Sequence, residues 1–116
     1  MNPKHIFSFR AGEEISDHTL VCISTDGRVK KAKANDVVIG VSDWTTPEDA
    51  GVSVTTAGIA RVRAGGTIVQ GDCVTANADG AAVKIANGKY IGVATTNGSD
   101  GSLVDILLTK GEKANA

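Results

Sequence analysis

The sequence predicts an all-β fold with minimal helix: a small, Gly-rich barrel or sandwich of two pseudo-repeated halves, with an extended N-terminal arm. Three observations carry that prediction. Short runs rich in Val, Ile and Thr recur along the chain, bounded by Gly, Asp or Asn. Aromatic residues make up only 3% of the chain against 14 glycines, so the core must come from Val, Ile, Leu and Ala. Such residues suit twisted β layers, and glycine suits frequent turns. Finally, Ala11-Gly12-Glu13-Glu14-Ile15 lies over Ala64-Gly65-Gly66-Thr67-Ile68, an offset of 53 residues.

Carried forward, that offset places Val21 on Val74, Asp26-Gly27 on Asp79-Gly80 and Lys31 on Lys84. One deletion later, Ile39-Gly40-Val41 matches Ile91-Gly92-Val93, and after a divergent loop Gly58 meets Gly111. Turn signals and apolar positions in the same order point to a duplication, with repeats at 11–63 and 64–111 inside one domain at 11–111. Residues 1–10 are expected to form an arm outside the duplicated body, and 112–116 a flexible polar tail.

The strands follow in order. Thr19–Ser24 is short, apolar and β-branched, and Asp26-Gly27 after it is a hairpin signal. Val37–Ser42 is nearly all apolar, as for a strand buried on both faces. Gly51–Thr56 and Ile59–Arg63 alternate, and the second half repeats the plan at 73–76, 82–85, 90–94 and 103–108, for about ten strands in all. A single helical turn is expected at Pro47–Ala50, with Thr46 as its cap. Gly40 and Gly92, inside strand patterns, predict bulges or close backbone contact.

Composition narrows the function. At 116 residues, with 41% hydrophobic and 22% charged residues, the chain reads as globular. Twelve basic against 13 acidic residues leave a net charge of −1, so no field of one sign draws it to nucleic acid or an anionic membrane. It has no apolar run of transmembrane length. The N-terminal segment lacks the apolar stretch and cleavage site of a secretory leader. Two cysteines are too few for a disulfide scaffold, so synthesis in a reducing cytoplasm is expected.

Chemistry is sparse. His5 and His18 have no neighbours at metal-ligand spacing. Cys22 and Cys73 sit in corresponding strands, either as reduced thiols or as a pair across the pseudo-symmetry axis, and no histidine stands in sequence to activate either one. Ala64-Gly65-Gly66-Thr67 lacks the Lys-Ser/Thr ending of a phosphate loop. The scattered acids are explained by turn chemistry. No catalytic residue, metal site or cofactor is therefore expected. Binding candidates remain. Lys4, His5, Phe7, Phe9 and Arg10 make the arm basic and ring-bearing; it either packs on its own sheet or adds a strand to a partner. Trp44 is either a lid over an open barrel end or an interface anchor. Arg61 and Arg63 share a strand face that is either solvated or turned to an acidic partner or sister subunit.

Taken as an ordered set, Asp-Gly, Ala-Lys-Ala-Asn-Asp, Ile-Gly-Val, Val-Ser-Val, Gly-Ile-Ala-Arg-Val, Gly-Asp-Cys-Val, Asp-Gly-Ala-Ala, Ile-Gly-Val-Ala and Val-Asp-Ile-Leu-Leu resembles the capsid decoration (cement) proteins of tailed bacteriophages, over roughly residues 11–109. The resemblance implies a β-tulip-like barrel with an extended N-terminal arm, and a non-enzymatic, head-stabilising role. It also implies a homotrimer on the outer surface of the virion head, bound to the major capsid protein and made in the host cytoplasm. It carries over no site residue. The rival reading is a virion- or cell-surface carbohydrate- or receptor-binding β module, for which only Trp44 and Tyr90 offer rings in the body.

Overall fold

A computed structural model describes residues 5–33, 36–86 and 88–113. Lys4 of the arm and residues 114–116 of the tail lie outside the described residues. Nine strands follow in order: β1 (His5–Arg10), β2 (Leu20–Ile23), β3 (Val29–Lys31), β4 (Gly40–Ser42), β5 (Gly51–Arg63), β6 (Cys73–Ala76), β7 (Ala82–Lys84), β8 (Gly88–Ala94) and β9 (Leu103–Lys113). All the strand pairings are antiparallel. Eight strands run in the order β3-β2-β4-β5-β9-β8-β6-β7, and β1 joins at β5. The all-β prediction holds.

The turn chemistry holds as well. Between β2 and β3 the Ser24 N–H donates to the Arg28 carbonyl (2.8 Å) and the Gly27 N–H to the Ser24 carbonyl (3.0 Å). Gly27 takes φ 83°, which glycine adopts without steric cost. Asn77, Gly80 (φ 77°) and Ala81 build the same turn between β6 and β7.

The ladders repeat with the sequence. Val21 faces Lys31 as Val74 faces Lys84, each residue 53 positions on. Leu20 faces Val41 as Cys73 faces Val93, the second partner now 52 positions on. The register goes further than the sequence reading. Phe9 faces Val52 on β5 as Val62 faces Val104 on β9, and Arg10 faces Gly51 as Arg63 faces Leu103. His5–Arg10 is therefore no arm outside the repeat. It is the opening strand of the first half, and its counterpart is Gly58–Arg63. The Trp44 loop also has a counterpart: Thr46 exchanges backbone hydrogen bonds with Ile15, and Gly98 does so with Ile68.

Other expectations change. Gly51–Thr56 and Ile59–Arg63 form one 13-residue strand, β5, because Gly58 at φ 90° carries the chain through without a break. Gly58 opens the second half's first strand instead of matching Gly111. Of the run Val37–Ser42, only Gly40–Ser42 is strand, and Val37 is 76% exposed. The expected helical turn is a β-turn. The Ala50 N–H reaches the Pro47 carbonyl (3.2 Å), Asp49 takes φ 71°, and the Thr46 hydroxyl donates to the Trp44 carbonyl instead of capping. Glu112 and Lys113 pair with Lys89 and Gly88, so the first two residues of the expected tail belong to β9.

Two clusters form the core. The smaller is Ala11, Ile15, Val21, Val29, Val52 and Val54, with Phe9 and Ile39 packed against it. The larger contains the second-half counterparts of all eight: Ala64, Ile68, Val74, Ala82, Val104, Ile106, Val62 and Ile91. It also takes in Leu20, Ala32, Val38 and Val41 from the first half, so the two halves share one core across their junction. Backbone bonds close that junction. The Leu20 N–H donates to the Gly80 carbonyl (2.8 Å) and the Arg63 N–H to the His18 carbonyl (2.9 Å). His18 Nδ1 donates to the Arg61 carbonyl (3.1 Å).

The two strand glycines mark close approach. A Cβ on Gly40 would stand 2.2 Å from the Thr55 carbonyl oxygen, and one on Gly92 2.9 Å from that of Leu107. Gly40→Ala is therefore expected to lower stability by about 1–3 kcal/mol, as overpacking does. Gly51→Ala, which meets nothing within 4 Å, should stay within about 0.5 kcal/mol. Thermal unfolding followed by circular dichroism checks both, and equal melting temperatures would refute the close-approach account.

The hairpin tips make a second pair. Gly80 is packed against Thr19, Lys31 and the Leu20 carbonyl, whereas Gly27 has open space around it. Asn tolerates positive φ. Gly27→Asn should thus be nearly neutral and Gly80→Asn destabilising by about 1–3 kcal/mol. Equal losses in denaturant titrations would show that the half-to-half junction contributes nothing.

Candidate functional site

Side chains with catalytic potential are dispersed. No group of three or more His, Cys, Asp or Glu residues that could hold a metal occurs among the described residues. Cys22 and Cys73 are free thiols, both part-buried. Burial, then the Asp36 carboxylate 3.7 Å from its sulfur, pushes the Cys22 thiol up, the opposite of activation. The lowered carboxyl of Asp26 reports turn chemistry: it accepts from the Ser24 hydroxyl and from the Arg28 N–H (3.0 Å). His18 is occupied at the half-to-half junction and lies 3.8 Å from the Asp17 carboxylate.

Arg61 and Arg63, read from the sequence as either solvated or turned to a partner, pair with acids of their own chain. Arg61 Nε lies 3.2 Å from Asp105, and an Arg63 terminal nitrogen 3.1 Å from Asp17. Both pairs are exposed and contribute little to stability. Arg63–Asp17 joins the two halves beside the His18 bonds, which gives it a positioning role.

The structure divides the arm residues. The His5 backbone pairs with Ala57. Phe9 is half-buried against the smaller core cluster, while Phe7, on the same strand face, is 54% exposed. Arg10 is exposed at the end of the strand. β1 pairs only with β5, which leaves its other edge uncovered by any strand among the described residues. Trp44 stands 58% exposed in its loop.

Two surface features escaped the sequence reading. One is Ile23, 48% exposed beside the first hairpin. The other is a groove of about 920 Å3 lined by Val37, Thr75, Ile85 and Tyr90, with Lys89 and Glu112 at its rim. Neither belongs to a motif. The repeat marks three of these positions, since Ile23, Ile85 and Tyr90 have the buried counterparts Ala76, Ala32 and Val38 in the other half. Aromatic and aliphatic side chains beside an uncovered edge and around a groove offer exposed apolar area.

The chain is similar to the solved head fiber gp8.5 N base of bacteriophage phi29, with a TM-score of 0.79 and 23% identity over 92% of this chain and 95% of that one. It is also similar to the pre-mature gene product 12 of bacteriophage phi29, with a TM-score of 0.70 and 14% identity over 94% of this chain. There it spans only 22% of the longer protein's length. At these identities the two structures attest the fold. A search of curated protein sequences finds no match. The family model described as phage cement protein matches residues 2–108, nearly the whole chain, and the protein belongs to the phage cement protein family.

Proposed function

We propose that this protein decorates the outer surface of an assembled phage head and stabilises it by bridging neighbouring major capsid protein subunits, acting as a homotrimer without enzymatic activity. The cement-family match over residues 2–108 carries this reading. The surface supports it. A nearly neutral chain with an exposed Trp44 is suited to apolar docking on a protein lattice and not to an anionic polymer.

Bridging works as a clamp. Internal pressure from packaged DNA pushes neighbouring capsid subunits apart. A ligand bound to both must lose one contact before the shell can part. Binding only to the assembled lattice also stabilises that lattice by mass action. Several copies held in one oligomer turn weak single contacts into high avidity. The small aromatic-poor core is adequate to this task, because the protein has no reacting geometry to preserve.

We assign Trp44 as the contact point with the shell, since its ring is exposed. In cosedimentation with expanded, undecorated heads, the wild-type protein should pellet to saturation. Trp44→Ser should weaken binding by about thirtyfold or more, as loss of an aromatic anchor does. Its melting temperature should not change. A wild-type chain that stays in the supernatant at saturating concentration would end the decoration reading, and an unaffected Trp44→Ser would move the contact elsewhere.

A further inference from the structure

We infer that copies of this chain join head to tail by repeating, between chains, the junction that joins the two halves within one chain. This deepens the oligomer part of the proposed function and does not require the shell. The observation behind it is the repeat itself. Every contact at the internal junction uses one face of the first half and a different face of the second. The second half's version of the first face, and the first half's version of the other, are then left at the two open ends of the molecule.

The residues bear this out. The internal junction engages Leu20, Ala32 and Val38 of the first half, all buried in the shared cluster. Their second-half counterparts are Cys73, Ile85 and Tyr90. All three are only half-buried, and Ile85 and Tyr90 line the 920 Å3 groove. Across the junction, Ala60 and Ala76 of the second half belong to the same cluster. Their first-half counterparts, Phe7 and Ile23, are larger and exposed. The groove is thus the vacant form of a surface that is filled inside the chain.

The polar contacts transfer in the same way. Inside the chain, the Gly80 hairpin tip meets Thr19 and Leu20, and the corresponding Gly27 tip is exposed with nothing within 4 Å. In the repeated contact its carbonyl accepts from the Cys73 N–H of the next copy, as that of Gly80 accepts from the Leu20 N–H. The Arg63–Asp17 pair becomes Arg10 facing Gln70, both exposed. His18, which caps the Arg61–Arg63 edge, becomes Gly71, facing the uncovered edge of β1 at Ser8 and Arg10. A contact of this kind joins unlike surfaces and closes into a ring when the rotation per copy allows it.

Sedimentation velocity of the full chain over a wide concentration range, up to millimolar, tests the inference. The wild type should form a discrete oligomer. Ile23→Asp and, independently, Phe7→Asp should sediment as monomers, or associate at least tenfold more weakly, with unchanged circular dichroism. Both side chains are exposed, so neither substitution opens a cavity. Gln70→Asp recreates the internal Arg–Asp pair and should tighten association by roughly two- to fivefold, a gain that Arg10→Ala abolishes. A wild type that stays monomeric at every concentration overturns the inference, as do Ile23→Asp and Phe7→Asp proteins that assemble like the wild type. An oligomer insensitive to these variants would leave a trimer standing on some other surface. Head binding is read separately, so a protein that oligomerises but does not cosediment with heads keeps this interface and loses the decoration role.

Discussion

One strand belongs to both halves of the molecule. Gly51–Ala57 of β5 accepts β1, with β4 on the other side at Val54 and Thr55, and Gly58–Arg63 accepts β9. The halves therefore do not meet as beads on a linker. The hydrogen-bond ladder runs through the point of duplication, and Gly58 at φ 90° is where the backbone turns from one sheet region into the other. Because β5 is continuous, the position of the second half relative to the first is set to within the flexibility of a paired strand. The bonds from His18 to Arg61 and Arg63, and from Gly80 to Leu20, are available only because β5 holds those groups in register.

That continuity also explains how a core without buried rings suffices. Eight core positions recur in both halves, filled mainly by Val, Ile and Ala. Each fully buried Val or Ile stabilises by about 1.5–3 kcal/mol, a thin margin against the entropy of ordering a half-chain. The junction merges the second half's cluster with Leu20, Ala32, Val38 and Val41, so the apolar layer runs unbroken from one half into the next. Small side chains allow the backbones to approach closely, and Gly40 against Thr55 is the limit of that approach. The absence of large rings is a condition of the fold and not an impoverishment of it.

The sequence showed the strands and turns because period-two alternation and Asp-Gly tips leave local marks. It also showed most of the repeat. It did not show where the repeat begins. Phe7 and Phe9 stand where the second half has Ala60 and Val62, and the contrast in size made the first strand look like an appendage. The register that equates them is a property of pairing across sequence separations of more than forty residues, which no local pattern reports. Polar composition similarly concealed that Glu112 and Lys113 pair with β8, since a ladder is made by backbone groups. Of the candidate site, Trp44 and Phe7 were legible as exposed-ring candidates. Ile23 and the groove were not, because exposure of a single Ile depends on what the fold leaves uncovered.

The differences between the halves have a direction. At the internal junction the second half presents Ala60 and Ala76. At the open end the first half presents Phe7 and Ile23. Two halves of one chain are held together covalently, so their effective concentration is high and little contact area is needed to keep them packed. Two separate chains must first overcome the loss of translational and rotational freedom, which costs several kcal/mol or more. The same contact therefore needs more buried apolar area between chains than within one. In the proposed contact that area comes from the larger, exposed side chains of Phe7 and Ile23. A duplication under no such demand would have no reason to place its bulk at the ends. Here the bulk lies where a neighbour, and not the chain itself, has to be held.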